Sequence, residues 1–358
     1  MRLVQGGPVV KRLAFAVPGD LATPTGGYAY DRRMIAELGR LGWQIDVVEL
    51  GDGFPLPSDA GRATAQARLF DIPKGRTVVI DGLALGALPE AASQLSTRNA
   101  LLAVVHHPLA LETGLSAQEV TTLRASERDA LAAVDAIVVT SSATQRCLVE
   151  DYAVPAQRIF VAPPGSDSVT PSQGSTDGIV RLLSVGAVVP RKGFDVLIAA
   201  LATIAELPWH LTIVGDRTRD RKAVAQLDAD IRLHRLDDRV TVLGEVSSHH
   251  LAELYVAADA FVLASRFEGY GMAYAEAIAR GLPVIGSKAG AIPETVPPGT
   301  SILVHPDDPS ALAEGLRRII EDPSERLHLG SAARAAAIHL PTWQASARIF
   351  SRAIETVG

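Results

Sequence analysis

Twelve short apolar runs, separated by longer amphipathic stretches, leave this chain few ways to fold. Six lie in the first half, at residues 13–17, 44–48, 77–80, 101–105, 136–140 and 159–162. Six lie in the second, at 180–185, 211–214, 240–243, 260–263, 283–286 and 302–304. Runs this short read as strands, and segments such as 29–41 and 117–134 between them read as helices. Strict strand–helix alternation predicts parallel sheets covered by helices, here twice over. Residues 163–178, PPGSDSVTPSQGSTDG, are rich in Pro, Gly, Ser and Thr and read as a linker between the two halves. The chain of 358 residues is long enough for two domains of ordinary size. The expected fold class is therefore α/β, with domains at 1–168 and 169–341. Two doubly wound domains facing each other would gather the carboxyl ends of both sheets around one cleft, where ligands of such sheets bind.

Composition narrows the function. Hydrophobic residues make up 47% and charged residues 21%, the balance of a globular chain. A net charge of -6, with no long Lys or Arg run, argues against nucleic acid as the main partner. The N-terminal stretch MRLVQGGPVVKRLAFAVPGD lacks the sustained apolar core of a secretory signal, and no segment reaches the roughly 20 apolar residues of a spanning helix. One cysteine, Cys147, leaves no internal disulfide or cysteine zinc site. A cytoplasmic location is expected. Residues 118–136 set Arg124 and Arg128 against Glu119, Glu127, Asp129 and Asp135, and Arg32, Arg33 and Arg40 form a small basic face; weak peripheral membrane association is the most this charge pattern supports.

The densest motif is FEGYGMAYAEAIARGLPV at 267–284. Glu268 precedes the flexible Gly269, Tyr270 and Gly271, a loop that feeds a small-residue helix carrying Glu276, which Gly281 and Pro283 end. A glycine loop feeding a helix start offers free N–H groups and a positive dipole end, which suits a phosphate. Eight residues separate the two glutamates, up to roughly 12 Å at helical rise. That span suits an elongated ligand such as a nucleotide-sugar, although acidic residues near a helix start are also favoured by the dipole alone.

This glutamate-x7-glutamate pattern, with the glycine-containing loop 286–294 after it, resembles family 4 of the retaining glycosyltransferases, the group 1 enzymes of GT-B fold. The resemblance implies two Rossmann-like domains across a cleft, with a closing helix at about 342–358 that returns to the N-terminal domain. It implies transfer of a hexose from a nucleotide diphosphate sugar to an acceptor hydroxyl with retention of configuration. It matches Lys192, in SVGAVVPRKG after the strand ending at Gly186, to a lysine that contacts the diphosphate. Where the family commonly carries an arginine directly after that glycine, this chain has Ala187; Arg191 either supplies the guanidinium or is a solvated neighbour. Gly26 and Gly27, after the first strand, match the loop that covers diphosphate and sugar, and a histidine is implied at His106 or His107, with His106 preferred. Glu268 is assigned to donor-sugar hydroxyls, the backbone of Gly269, Tyr270 and Gly271 to the diphosphate, and Glu276 to the ribose, with Met272 counted among the donor-binding residues. The nucleobase is expected near Leu243 and Gly244, with Gly215 a second candidate loop beside Arg217 and Arg219, both read as exposed.

No Asp-x-Asp pair sits in a metal context; Asp228 and Asp230 read as a solvated helix face. Lys192 and free backbone amides make a divalent ion unnecessary, so no metal and no cofactor beyond the donor are expected. No carboxylate nucleophile stands out in the N-terminal half, which favours same-face attack with the leaving phosphate as base over double displacement. The acceptor, a glycan, lipid or small molecule, and the choice among UDP, GDP and ADP are not legible. The competing readings are a nucleotide-sugar epimerase, a glycan phosphorylase and an inactive nucleotide-sugar-binding protein. The phosphorylase lacks its cofactor lysine context, and a nicotinamide dehydrogenase is disfavoured because no G-x-G-x-x-G follows the first strand.

Overall fold

The structure, a computed structural model, describes residues 11–112 and 114–358. Residues 1–10, half of the N-terminal stretch read above, lie outside the described residues. The chain forms two compact units, Met1–Gly165 with Pro341–Gly358, and Ser166–Leu340. All twelve expected strands are present.

Unit 1 holds β1 (Arg12–Val17), β2 (Gln44–Glu49), β3 (Thr77–Asp81), β4 (Leu101–Val105), β5 (Ala136–Val139) and β6 (Ile159–Val161). They form one parallel sheet in the order β2-β1-β3-β4-β5-β6. The order reverses between β1 and β3, which is where open α/β sheets bind ligands. Strands β3, β4 and β5 are buried along their whole length, as sheets covered on both faces require. The edge strand β2 is half exposed.

The helix Trp343–Val357 belongs to this unit. Its buried residues Trp343, Ala347, Phe350 and Ile354 fall at helical spacing, and the Phe350 ring lies 6.2 Å from Phe15 of β1. Burying each of the large side chains stabilises the unit by about 1.5–3 kcal/mol. Thr342 caps its start by accepting from the Ala345 amide.

Unit 2 holds β7 (Val180–Val185), β8 (Trp209–Val214), β9 (Val240–Gly244), β10 (Ala260–Leu263), β11 (Val284–Ser287) and β12 (Ser301–Val304). Their order, β12-β11-β10-β7-β8-β9, is also fully parallel. Counted within the unit it is the doubly wound order 3-2-1-4-5-6, with its switch point between β7 and β10.

One expectation changes. The 163–178 segment contains neither helix nor strand, but its second part is not a free linker. Ser172 donates its amide to Arg280, Gln173 donates to Val256, and Ser175 donates to the Asp259 carboxylate, so the segment is laced onto unit 2. Among the described residues no helix is long and apolar enough to cross a membrane.

Candidate functional site

In unit 2 the loops after β7 and β10 meet at the switch point. After β7 the chain runs through Gly186 and Ala187 into a single 3-10 turn, Pro190–Lys192, and then the helix Phe194–Ala202. Gly193 joins the two with φ +65°, and a Cβ there would stand 2.0 Å from the carbonyl oxygen of Ala264, the residue after β10. Only glycine fits both the left-handed backbone and that approach. The tight joint brings the loop after β7 onto the loop after β10.

Glu268 is the centre of that meeting and is 6% exposed. Lys192 Nζ lies 2.6 Å from its Oε1, Arg191 Nη1 lies 3.3 Å from its Oε2, and Ser265 Oγ donates to Oε1 at 2.7 Å. Arg191 also donates to the Phe267 carbonyl at 3.0 Å. Burial pushes the Glu268 carboxyl up, but the Lys192 and Arg191 charges outweigh it and hold it at about 2. Of the two readings of Arg191, the side chain is turned into the site and is 16% exposed; it is not a solvated neighbour.

The glycines expected at the site have separate reasons. A Cβ on Gly186 would meet the Lys192 stem at 3.0–3.4 Å, so the lysine lies across bare backbone to reach Glu268. Gly215, at the end of β8, has φ +152° and would place a Cβ 2.0 Å from the Gly186 carbonyl oxygen. Its amide donates to Gly244, so Gly186, Gly215 and Gly244 lie side by side along three strand ends. Leu243 is partly exposed on β9. Of the two arginines expected to be exposed, Arg219 is exposed, with Asp216 at 3.1 Å, while Arg217 is only partly so and binds Asp228 at 2.9 Å.

The helix bearing Glu276 is Met272–Ala279, with Gly271 (φ +93°) at its N-cap and no side-chain cap. Glu268 and Gly269, Tyr270 and Gly271 therefore precede the helix. Helical rise applies only from Met272 onward, and the simple 12 Å estimate for the two glutamates does not hold. An uncapped N-terminus leaves amides for an anion. Glu276 is half-buried one turn in, beside the Tyr255 hydroxyl and Arg280. Burial raises its carboxyl, opposed by Arg280 and by the Tyr255 hydrogen bond.

In unit 1 the switch point is also furnished. The helix Gly26–Arg40 starts three residues ahead of the expected 29–41 segment, capped by Thr25, whose side chain accepts from the Tyr28 amide. Gly27 lies under the His106 ring: a Cβ there would be 3.2 Å from its Cδ2. His106 Nε2 stands 3.3 Å from Asp31 Oδ1 and 3.2 Å from Asp81 Oδ2. The neighbouring His107 points elsewhere, paired with Glu112. Asp31 and Asp81 were missed from the sequence; the only hint was Asp31 standing four residues after Gly27, on the same helix face.

Comparison with known proteins follows this geometry. Residues 170–336 match the family described as Glycosyl transferases group 1. D-inositol 3-phosphate glycosyltransferase of Xylanimonas cellulosilytica is 33% identical over 227 residues, 59% of this chain and 54% of that protein. MMP alpha-(1->4)-mannosyltransferase of Mycolicibacterium hassiacum is 29% identical over 62% of this chain and 55% of its own. The chain thus spans about half the length of the curated relatives it matches. Among solved structures, sucrose-phosphate synthase from Thermosynechococcus elongatus superposes with a TM-score of 0.81 at 23% identity, covering 96% of this chain and 99% of that one. Anabaena HepE in complex with UDP and glucose gives 0.75 at 19% identity over 96% and 99%. The two six-stranded parallel α/β sheets are thus of the GT-B type, and the match to the group 1 glycosyl transferases spans nearly all of unit 2.

Proposed function

We propose that the chain is a retaining hexosyltransferase that takes its sugar from a nucleoside diphosphate donor, UDP- or GDP-linked, and needs no metal ion. The observation that carries this reading is the Glu268–Lys192–Arg191 cluster at the unit 2 switch point, set beside an uncapped helix N-terminus. A carboxylate held ionised suits sugar hydroxyls, and two fixed cations with free amides suit a departing diphosphate. In this reading Lys192 and the helix amides stabilise the charge that develops as the sugar–phosphate bond breaks, with Arg191 filling the role left open by Ala187. Glu276 accepts from the ribose hydroxyls, and Leu243 and Gly244 border the base. The contribution of unit 1 is His106.

Retention follows from same-face attack. The acceptor oxygen bonds to the anomeric carbon as the phosphate oxygen leaves, and the acceptor proton passes to that phosphate. The names of relatives support this class of reaction: one is a GDP-mannose-dependent mannosyltransferase of Corynebacterium glutamicum, and HepE was solved with UDP-glucose.

The test is a thermal-shift panel of UDP, GDP, ADP and their sugars, followed by transfer assays on the stabilising donor with inositol phosphate and sugar phosphate acceptors. Stabilisation by one nucleotide series, with α-linked product from an α-linked donor in the presence of chelator, is expected. Inverted product, a trapped glycosyl-enzyme, or loss of turnover on chelation would each overturn a stated part of the proposal. Donor binding with no transfer to any acceptor would favour the inactive binding protein instead.

A further inference from the structure

The unit 1 cluster is more than a place for one histidine. Asp31 is fully buried, yet neither of its carboxylate oxygens makes a hydrogen bond of good geometry, and His106 Nε2 is buried in the same condition. A buried carboxylate left so is costly unless an opposite charge stands beside it. Among the described residues, the imidazolium of His106 supplies that charge, its Nε2 lying within 3.3 Å of both Asp31 and Asp81. The helix face explains the arrangement. Gly27 and Asp31 are four residues apart on the helix Gly26–Arg40, so the missing side chain of Gly27 lets the ring lie on the helix and Asp31, one turn on, reaches its Nε2. Tyr30 closes the remaining side, its ring edge-on to His106 at 5.3 Å and its hydroxyl held by the Ala162 carbonyl. His106 itself is 19% exposed while Nε2 is buried, which leaves Nδ1 as its available nitrogen.

We infer that Asp31 is a positioning residue: with Asp81 it clamps the Nε2 edge of His106, keeps the ring protonated, and presents Nδ1–H as a fixed charged donor to the sugar. The inference rests on the assignment of His106 to the proposed transfer reaction. Burial works against the charged ring, but the two carboxylates more than offset it and raise His106 to about 10. Burial likewise raises Asp31 to about 7, restrained by His106. A charged donor hydrogen bond is stronger than a neutral one, and a ring locked by two carboxylates cannot turn away.

The experiment uses the full chain with isotope-labelled histidine, the His106 resonance being identified by its loss in His106→Ala. Wild-type His106 is expected to stay protonated past pH 9, in line with the value of about 10. Asp31→Asn is expected to lower its midpoint by about 1–3 units, and Asp81→Asn, which guards against a folding failure of the first variant, to lower it similarly. At pH 8.5 Asp31→Asn should lose kcat in step with the fallen midpoint, about tenfold where it drops to about 7.5, with donor KM within about twofold, and less at pH 6, where the ring is protonated in any case. Asp31→Glu should recover part of the loss, and adding Asp31→Asn to His106→Ala should cost nothing further. An unchanged His106 midpoint in both Asn variants overturns the clamp. So does saturable stabilisation of the wild type by Zn2+ or Mn2+ that the Asn variants lose, which would make the three groups metal ligands. A midpoint that falls as expected in a chain with no transferase activity upholds the clamp and sinks the proposed function.

Discussion

Glu268→Gln removes one charge and almost no volume, which makes it the sharpest probe of the unit 2 cluster. The Glu268 carboxyl is held at about 2 against an ordinary 4.5, and the group is 6% exposed, so solvent screening is slight. That difference corresponds to about 3 kcal/mol of folding stability at neutral pH. The sign is fixed by the direction: a depressed carboxyl contributes fully above its unfolded value and loses the contribution as pH falls toward the folded one. The wild type should therefore exceed Glu268→Gln by about 3 kcal/mol at pH 7 and by about 2 kcal/mol at pH 3.5. For a unit the size of Ser166–Leu340 the neutral gap equals about 6–12 °C in melting temperature. Urea unfolding of both proteins at the two pH values reads the difference directly. A variant as stable as the wild type at pH 7, or a gap that does not shrink with acid, would refute the reasoning that Lys192 and Arg191 are there to hold an ionised carboxylate.

Other outcomes follow from the same geometry. Lys192→Ala should cut transfer by about 10²–10³-fold while leaving the fold intact, read as initial rates with donor saturating. Glu276→Gln should weaken nucleotide binding by about tenfold, with the free sugar's affinity unchanged, measured by calorimetry on nucleoside diphosphate and on hexose. Gly215→Ala would set a methyl group 2.0 Å from the Gly186 carbonyl, so a melting temperature within about 3 °C of wild type would contradict the close strand-end crossing. Saturating chelator should leave the transfer rate within about twofold of its untreated value, assayed after dialysis.

The parallel sheets were legible because their signal is local: the strands are short, largely apolar runs whose residue types mark them, as in LLAVV at Leu101–Val105. The loops after β7 and β10 could also be marked, because PRKG and FEGYG bear their chemistry in consecutive residues. What the sequence could not say is which groups face each other. His106 and His107 are indistinguishable in a string; what separates them is Gly27, nearly eighty residues earlier, offering a bare helix face to one ring only. Asp31 and Asp81 were invisible for the same reason, since each acquires its role from His106, which is remote from both in the chain. The glycine loop ahead of the Glu276 helix was legible as well, and the left-handed Gly271, three residues after Glu268, is where it ends. The lacing of Ser172–Ser175 onto unit 2 escaped because a Ser/Thr/Pro/Gly composition describes solubility, while its hydrogen bonds go to Arg280, Val256 and Asp259.

Because Trp343–Val357 packs with Phe15 and its neighbours, unit 1 is completed by a helix that follows unit 2 along the chain. During synthesis the ribosome must finish all of Ser166–Leu340 before β1 receives that cover, so a nascent unit 1 waits with apolar surface open to chaperones. Deleting Trp343–Val357 should thus injure unit 1 first, baring Phe15 while unit 2 persists.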